Sequence, residues 1–246
     1  MRGAFALIGL VLLAFPAMAQ EGVVADLSQS RVGITATFDG SEILVFGAVK
    51  DAKSEAPLGV IISVSGPAEP IMVRKKARKA GVWVNSEAVK VAAAPSFYHV
   101  VTTHPLEDML TPAQDARYAL SIPKAIRAGA ENTAEFTEAL IRIREESGLY
   151  AVHTGEVTLK ENTLFRAHIA LPANLTEGSY LTRIFLTRDG RVVARQATTI
   201  HVSKVGLERW IYALAHERPF IYGVLSLAIA IAAGWGASAI FRYIKG

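Results

Sequence analysis

The feature that most constrains this chain lies near its C-terminus, where Phe220 to Phe241 contains no charged residue. About 20 apolar residues are enough to cross a hydrocarbon core as a helix, and this run has that length. Pro219 suits its first turn, where a missing N–H costs nothing. Arg242 and Lys245 follow at once, and cations of this kind stay on the cytosolic side of a span. The reading is a transmembrane helix over 219–241 with a cytoplasmic tail at 242–246.

The N-terminus fits that topology. Arg2 begins a positive segment, Ala4 to Phe15 is a short apolar run, and Ala17-Met18-Ala19 has the small-x-small form of a cleavage site. Residues 1–19 read as a secretory signal peptide. The expectation is a single-pass protein of the inner (plasma) membrane, its main domain at 20–204 in the periplasm and its C-terminus cytoplasmic.

Composition narrows the chemistry. The chain has no cysteine, which removes disulfides, thiol catalysis, Cys-ligated zinc, iron–sulfur clusters and c-type haem attachment. The sequence is basic, with a pI near 9.3, yet an exported domain does not normally meet nucleic acid, so none is expected as a partner.

Short β-patterned segments fill the first part of the domain. Arg31 to Phe38 and Glu42 to Val49 alternate, and Leu58 to Val64 is a continuous apolar run. Gly81 to Val84, Val89 to Ala94 and Phe97 to Thr103 add further strands, with Gly and Pro between them. A helical segment is expected over about 105–148. Thr111 would cap one helix, with Pro112 first and Gln114 closing a capping box. Asn132 and Glu135 repeat that logic for a second helix, whose Phe136, Leu140 and Ile143 share one face and which Gly148 ends. Strands return at Val157 and at Leu164 to Leu171. Tyr180 to Arg188 and Val192 to Val202 form a hairpin around Asp189-Gly190. Ahead of that hairpin, Leu175-x-x-Gly178-x-Tyr180 resembles the tyrosine corner of immunoglobulin-like sandwiches. The fold class read from this pattern is mainly β: an immunoglobulin-like antiparallel sandwich with a helical insertion and one C-terminal transmembrane helix. One elaborated sandwich and two small ones fit equally.

Three stretches are candidate contact sites. The basic run Arg74, Lys75, Lys76, Arg78 and Lys79 precedes the aromatic Trp83. It suits anionic phospholipid headgroups or a solvated strand edge that lysines keep from mispairing. Residues 205–218 form a juxtamembrane amphipathic helix with Leu207, Trp210, Ile211 and Leu214 on one face, and Trp210 suits the membrane interface. Within the span, Ser226, Ala230, Gly234 and Ser238 recur every fourth residue and make a small-residue stripe, broadened by Ala233 and Ala237. Such stripes let helix backbones approach closely, so an integral-membrane partner or a second copy is expected there, within the lipid bilayer.

No catalytic, cofactor or metal constellation emerges. Ser121-x-x-Lys124 lacks the Lys-Thr-Gly partner that penicillin-binding chemistry requires. The histidines at 99, 104, 153, 168, 201 and 216 are scattered, with His99 and His104 the closest pair in sequence.

Gly81-Val-Trp-Val-Asn85, Pro95-Ser-Phe-Tyr98, Gly148-Leu-Tyr150, Leu164-Phe-Arg-Ala167 and Gly206-Leu-Glu-Arg209 occur in order. A span carrying Tyr222-Gly223 and Gly234-Trp235 follows them. In this the chain resembles the alphaproteobacterial transmembrane family Alph_Pro_TM across nearly the whole mature chain. The resemblance implies a membrane-anchored periplasmic protein associated with a sulfite-exporter-type permease, and it supplies no catalytic residues. The expected function is a non-enzymatic accessory or interaction protein. The alternative is a periplasmic binder of a small molecule or metal.

Overall fold

The structure, a computed structural model, describes residues 22–35, 37–50, 57–79, 81–128 and 134–245. The expected signal peptide and the cap at Asn132 lie outside these residues. What is described is mainly β, with helices between two of the strands and at the C-terminus.

One antiparallel sheet has the order β1 (Gly22–Leu27), β3 (Ser41–Lys50), β11 (Leu164–Leu171), β10 (Thr158–Lys160). Strand β11 shows why: Phe165, Ala167, Ile169 and Leu171 are buried and the residues between them exposed, the period-two pattern of a half-buried strand. A second sheet has the order β2 (Arg31–Ile34), β13 (Arg191–Lys204), β12 (Gly178–Arg188), β4 (Gly59–Ser65), β7 (Tyr98–Thr102), β9 (Tyr150–Thr154). Its central strand β4 is buried nearly throughout, as its continuous apolar run requires.

This second sheet is mixed, which corrects the expectation of purely antiparallel strands. Strands β2 and β13 are parallel, and so are β7 and β9. Parallel neighbours cannot be joined by a tight turn, so the helical segment is the crossover from β7 to β9. It contains α1 (Leu106–Met109), α2 (Pro112–Tyr118), α3 (Ile122–Ala125) and α4 (Ala134–Glu146).

Thr111 caps α2 as expected, its side chain accepting from the Gln114 N–H. The rest of the capping box does not form. The Gln114 Oε1 instead accepts from the Val192 N–H, and the Thr111 N–H donates to Gly190 O, so both ends of the motif hold the β12–β13 hairpin. Gly148 ends α4 at φ +67°, with Leu149 N bonded to Arg144 O and Gly148 N to Glu145 O, a Schellman cap. Phe136 and Leu140 are buried, but Ile143 is 51% exposed. Ile141 takes its place against the core, because the buried stripe follows i, i+4, i+5 on this helix and not i, i+4, i+7.

A third sheet comprises β5 (Ala68–Lys79), β6 (Val82–Pro95) and β8 (Arg127–Ala128). Its two long strands continue the β4–β7 pair without a register break. Ser65 opposes Tyr98 and Ala68 opposes Pro95, and between them Gly66 N donates to Phe97 O and Ser96 N to Pro67 O. Gly66 permits this because a Cβ there would lie 2.5 Å from Ser96 Oγ and 3.0 Å from Tyr180 Cε1. One hydrophobic cluster then joins all three sheets and the crossover helices: Ile43, Val45 and Phe165, with Ile61, Val100 and Tyr180, with Val91, and with Leu120, Ile122 and Leu140.

The two larger sheets meet at β1 and β13. Gln196 of β13 presents its side-chain amide to β1, accepting from Ala25 N at 2.8 Å and donating to Ala25 O at 2.9 Å. A side chain thus does for the β1 edge what a neighbouring strand would do.

Candidate functional site: the β5–β6 arm and the membrane helix

The basic run occupies the second half of β5, and the Val82-Trp83-Val84 stretch that follows it begins β6. Lys79 and Val82 are opposed across the tip, where Gly81 adopts φ +85°. Arg78 opposes Trp83, Lys76 opposes Asn85, and Lys75 opposes Glu87. The tip is open: Val82 is 63% exposed and Trp83 65%.

The five cations of the run do not behave alike. Lys75 donates to Glu135 Oε1 at 2.7 Å, at the start of α4. That hydrogen bond, with the carboxylate's charge, raises the pKa of Lys75 above the ordinary lysine value. Arg78 Nε donates to Gly81 O at 3.4 Å across the turn. Arg74, Lys76 and Lys79 have no side-chain hydrogen bond or ion pair among the described residues.

After β13, Val205 N bonds to Ile34 O, and Gly206 at φ +136° turns the chain into α5 (Leu207–Glu217). Trp210 and Tyr212 are exposed on α5, and Leu214 is half-buried. Tyr212 stacks on His216 with ring centroids 4.0 Å apart. The helix ends at Arg218, whose φ −137° and ψ 63° are not helical, and α6 (Pro219–Lys245) begins at the proline. Over Pro219–Ser238 its mean hydropathy is 1.8 and none of that stretch is buried. Ser226, Ala230, Gly234 and Ser238 are all exposed on it, and a Cβ added at Gly234 meets nothing within 4 Å. Among the described residues, therefore, one helix is long and apolar enough to cross a membrane.

The remaining candidates resolve into structural roles. Ser121 begins α3, but its Oγ donates to Asp115 Oδ2 at 2.6 Å, and the other oxygen of that carboxylate accepts from Leu120 N and Ser121 N. Arg183 holds the same turn from the sheet side, through Tyr118 O at 2.8 Å and Ala119 O at 3.2 Å. Burial pushes the Tyr98 phenol beside it up to about 12.

His99 meets His153 in space, not His104. The two rings lie 5.3 Å apart on the parallel strands β7 and β9, a pairing no sequence distance could suggest. Burial pulls His99 down to about 4. Among the described residues no group of three or more His, Cys, Asp or Glu could hold a metal ion.

One further surface had no signal in the sequence. On the outer side of the first sheet, Val24, Phe46, Ala48 and Leu164 line an open apolar groove of about 490 Å³, bordered by Asp26, Lys160 and Arg166.

Among solved structures, the chain is similar to the sporulation control protein Spo0M of Bacillus subtilis, with 11% identity and a TM-score of 0.28, over 80% of this chain and 55% of that one. It is also similar to a bacterial adhesin from Mobiluncus mulieris, with 9% identity and a TM-score of 0.26, over 75% and 58%. The chain thus spans little more than half the length of either. None of the curated proteins matches it. The family described as "Putative transmembrane protein (Alph_Pro_TM)" matches residues 22–243, a stretch that takes in β1, the whole β body and nearly all of α6. The chain belongs to this transmembrane family.

Proposed function

We propose that this membrane protein is a non-enzymatic accessory subunit, single-pass in the plasma membrane, with its β body in the periplasm and its C-terminus in the cytoplasm. In this reading the body is an immunoglobulin-like sandwich elaborated by the crossover and the β5–β6 arm. The Tyr180 hydroxyl supports that, since it donates to Thr176 O at 2.7 Å, four residues upstream, as a tyrosine corner requires. The work of the protein is to hold a partner in the membrane, and a permease of the sulfite-exporter type is the partner proposed.

The observation that carries this reading is α6. An inert anchor needs only apolar surface, yet this helix presents Ser226, Ala230, Gly234 and Ser238 on one open stripe. Lipid tails give no hydrophobic reason for helices to associate, so close backbone approach along small residues is the usual basis for packing. Replacing Ala230 and Gly234 with leucine adds bulk to that stripe and keeps the helix apolar. Crosslinking in native membranes should lose the partner band in this variant while membrane insertion is unchanged. An identical crosslinking pattern in wild type and variant would refute the proposal.

A further inference from the structure

The β5–β6 arm has two unlike faces. Opposed residues of a two-stranded ladder project to the same side, and alternate residues along a strand share a face. The register at the tip is Arg78 opposite Trp83 and Lys76 opposite Asn85; nearer the root it is Arg74 opposite Ala88 and Met72 opposite Lys90. The extra residue between these two stretches is Ser86, on β6, so the alternation of β5 is unbroken. One face therefore carries Met72, Arg74, Lys76, Arg78, Trp83 and Lys90, and no carboxylate lies among those opposed pairs. The other face holds Ile71, Val73 and Val91, which pack on the core, and Lys75, which is paired with Glu135.

Cations alone would be enough to guard an open strand edge. That role does not require an exposed tryptophan at the tip, nor an exposed Met72 on the same face nearer the root. A face of one charge sign ending in a tryptophan matches a surface with anionic groups above and an apolar layer beneath. Tryptophan rings settle at that level of a bilayer.

We propose that this arm is a second membrane contact, docking on the anionic phospholipid headgroups of the bilayer that holds α6. Arg74, Lys76, Arg78 and Lys90 meet the phosphates, and Trp83 enters the interface. Two observations favour the protein's own membrane. The root of the arm and the exit of the chain lie side by side at one end of the second sheet: Gly178 opposes Val202 and would meet Pro67 with any side chain. The arm is also long, roughly 40 Å at about 3.3 Å per residue. A tether of this kind makes the second contact effectively intramolecular, so weak binding suffices.

The test uses the full chain in lipid nanodiscs, with Trp210 and Trp235 changed to phenylalanine so that Trp83 reports alone. In discs rich in phosphatidylglycerol, lipids brominated in the acyl chain should quench Trp83. The quenching should vanish in phosphatidylcholine discs and at about 1 M salt, where the screening length is about 3 Å. The variant R74Q/K76Q/R78Q/K90Q should lose it too, since each charge contributes about fivefold to surface binding; unchanged circular dichroism shows that it folds. A fluorophore on Trp83→Cys, the only thiol in a chain without cysteine, provides a second reporter. Trp83 equally open to water in both disc types would overturn the proposal and leave the run a solvated edge. Quenching that needs separately added vesicles, or that appears only with an acidic polypeptide, would also overturn it and assign the arm to a facing membrane or to a protein.

Discussion

Lowering the pH from 7 to 5 puts a proton on His99 in the unfolded chain but not in the folded one. The side chain is 6% exposed, and its ring stacks on Phe97 at 4.2 Å. Nε2 lies 3.2 Å from Gly148 O, so in the neutral ring it is the nitrogen that donates. Nδ1 is buried and has no partner among the described residues, so a proton added there would be desolvated. Burial is the larger cause of the depressed pKa, His153 adds to it, and the Gly148 carbonyl opposes both. Against an ordinary value of 6.5, the folded value is about 4.

Because the folded pKa is lowered, stability is intact above 6.5 and declines as pH falls toward 4. At about 1.4 kcal/mol per unit, the loss is about 2 kcal/mol by pH 5 and about 3 kcal/mol at its limit. Urea unfolding of the full chain in nanodiscs, followed by far-UV circular dichroism, measures this on the β body while α6 stays in lipid. Carboxylates also titrate in this window, so the informative quantity is the difference from His99→Gln, which cannot take the proton. That variant should be weaker at pH 7 and lose about 2 kcal/mol less than wild type on going to pH 5. If both proteins lose the same stability over this interval, the buried histidine is not the acid-sensitive element.

Replacing Gln196 with leucine strands the N–H and C=O of Ala25 at the β1 edge, and should cost about 1–3 kcal/mol in the same unfolding assay. Hydrogen exchange at Ala25 should quicken in step, and an unchanged exchange rate there would refute the clasp. Tyr180→Phe removes only the hydroxyl that donates to Thr176 O and should lower stability by about 1 kcal/mol; a variant as stable as wild type would mean the corner contributes nothing. The leucine variant of Ala230 and Gly234 and the Trp83 quenching series test the membrane helix and the arm.

What could be read from the residues was whatever short-range pattern encodes. Strand β11 has the bounds its alternation gave, β4 is as buried as its apolar run required, and Asp189-Gly190 turns the β12–β13 hairpin with both residues at positive φ. The Thr111 cap and the Gly148 stop depend on backbone groups within a few residues, and both formed. What escaped depended on partners far away. Strand β9 is five residues of mixed character, and only its parallel place beside β7, across the whole crossover, makes it a strand. The Gln196 clasp joins positions 171 residues apart, and the meeting of His99 with His153 follows from the same crossover.

The β5 strand shows why a site can be half legible. Its cations alone suit anionic headgroups or a solvated strand edge, and Pro70 lies just ahead of them. Proline lacks the N–H that a ladder needs, and it sits here where the register shifts between Glu69 and Ile71, a position that requires none. Strand pairing then carries on past it, because Gly66 and Pro67 continue the ladder of β4 and β7. Which cations share a face with Trp83 is a property of that register and not of the sequence run. Lys75 lies between Arg74 and Lys76 in the chain, yet it faces α4 and Glu135. Lys90, distant in sequence, belongs with the other two because it opposes Met72. The charge was visible in the residues; the surface it makes depends on a pairing that extends from the core of the second sheet.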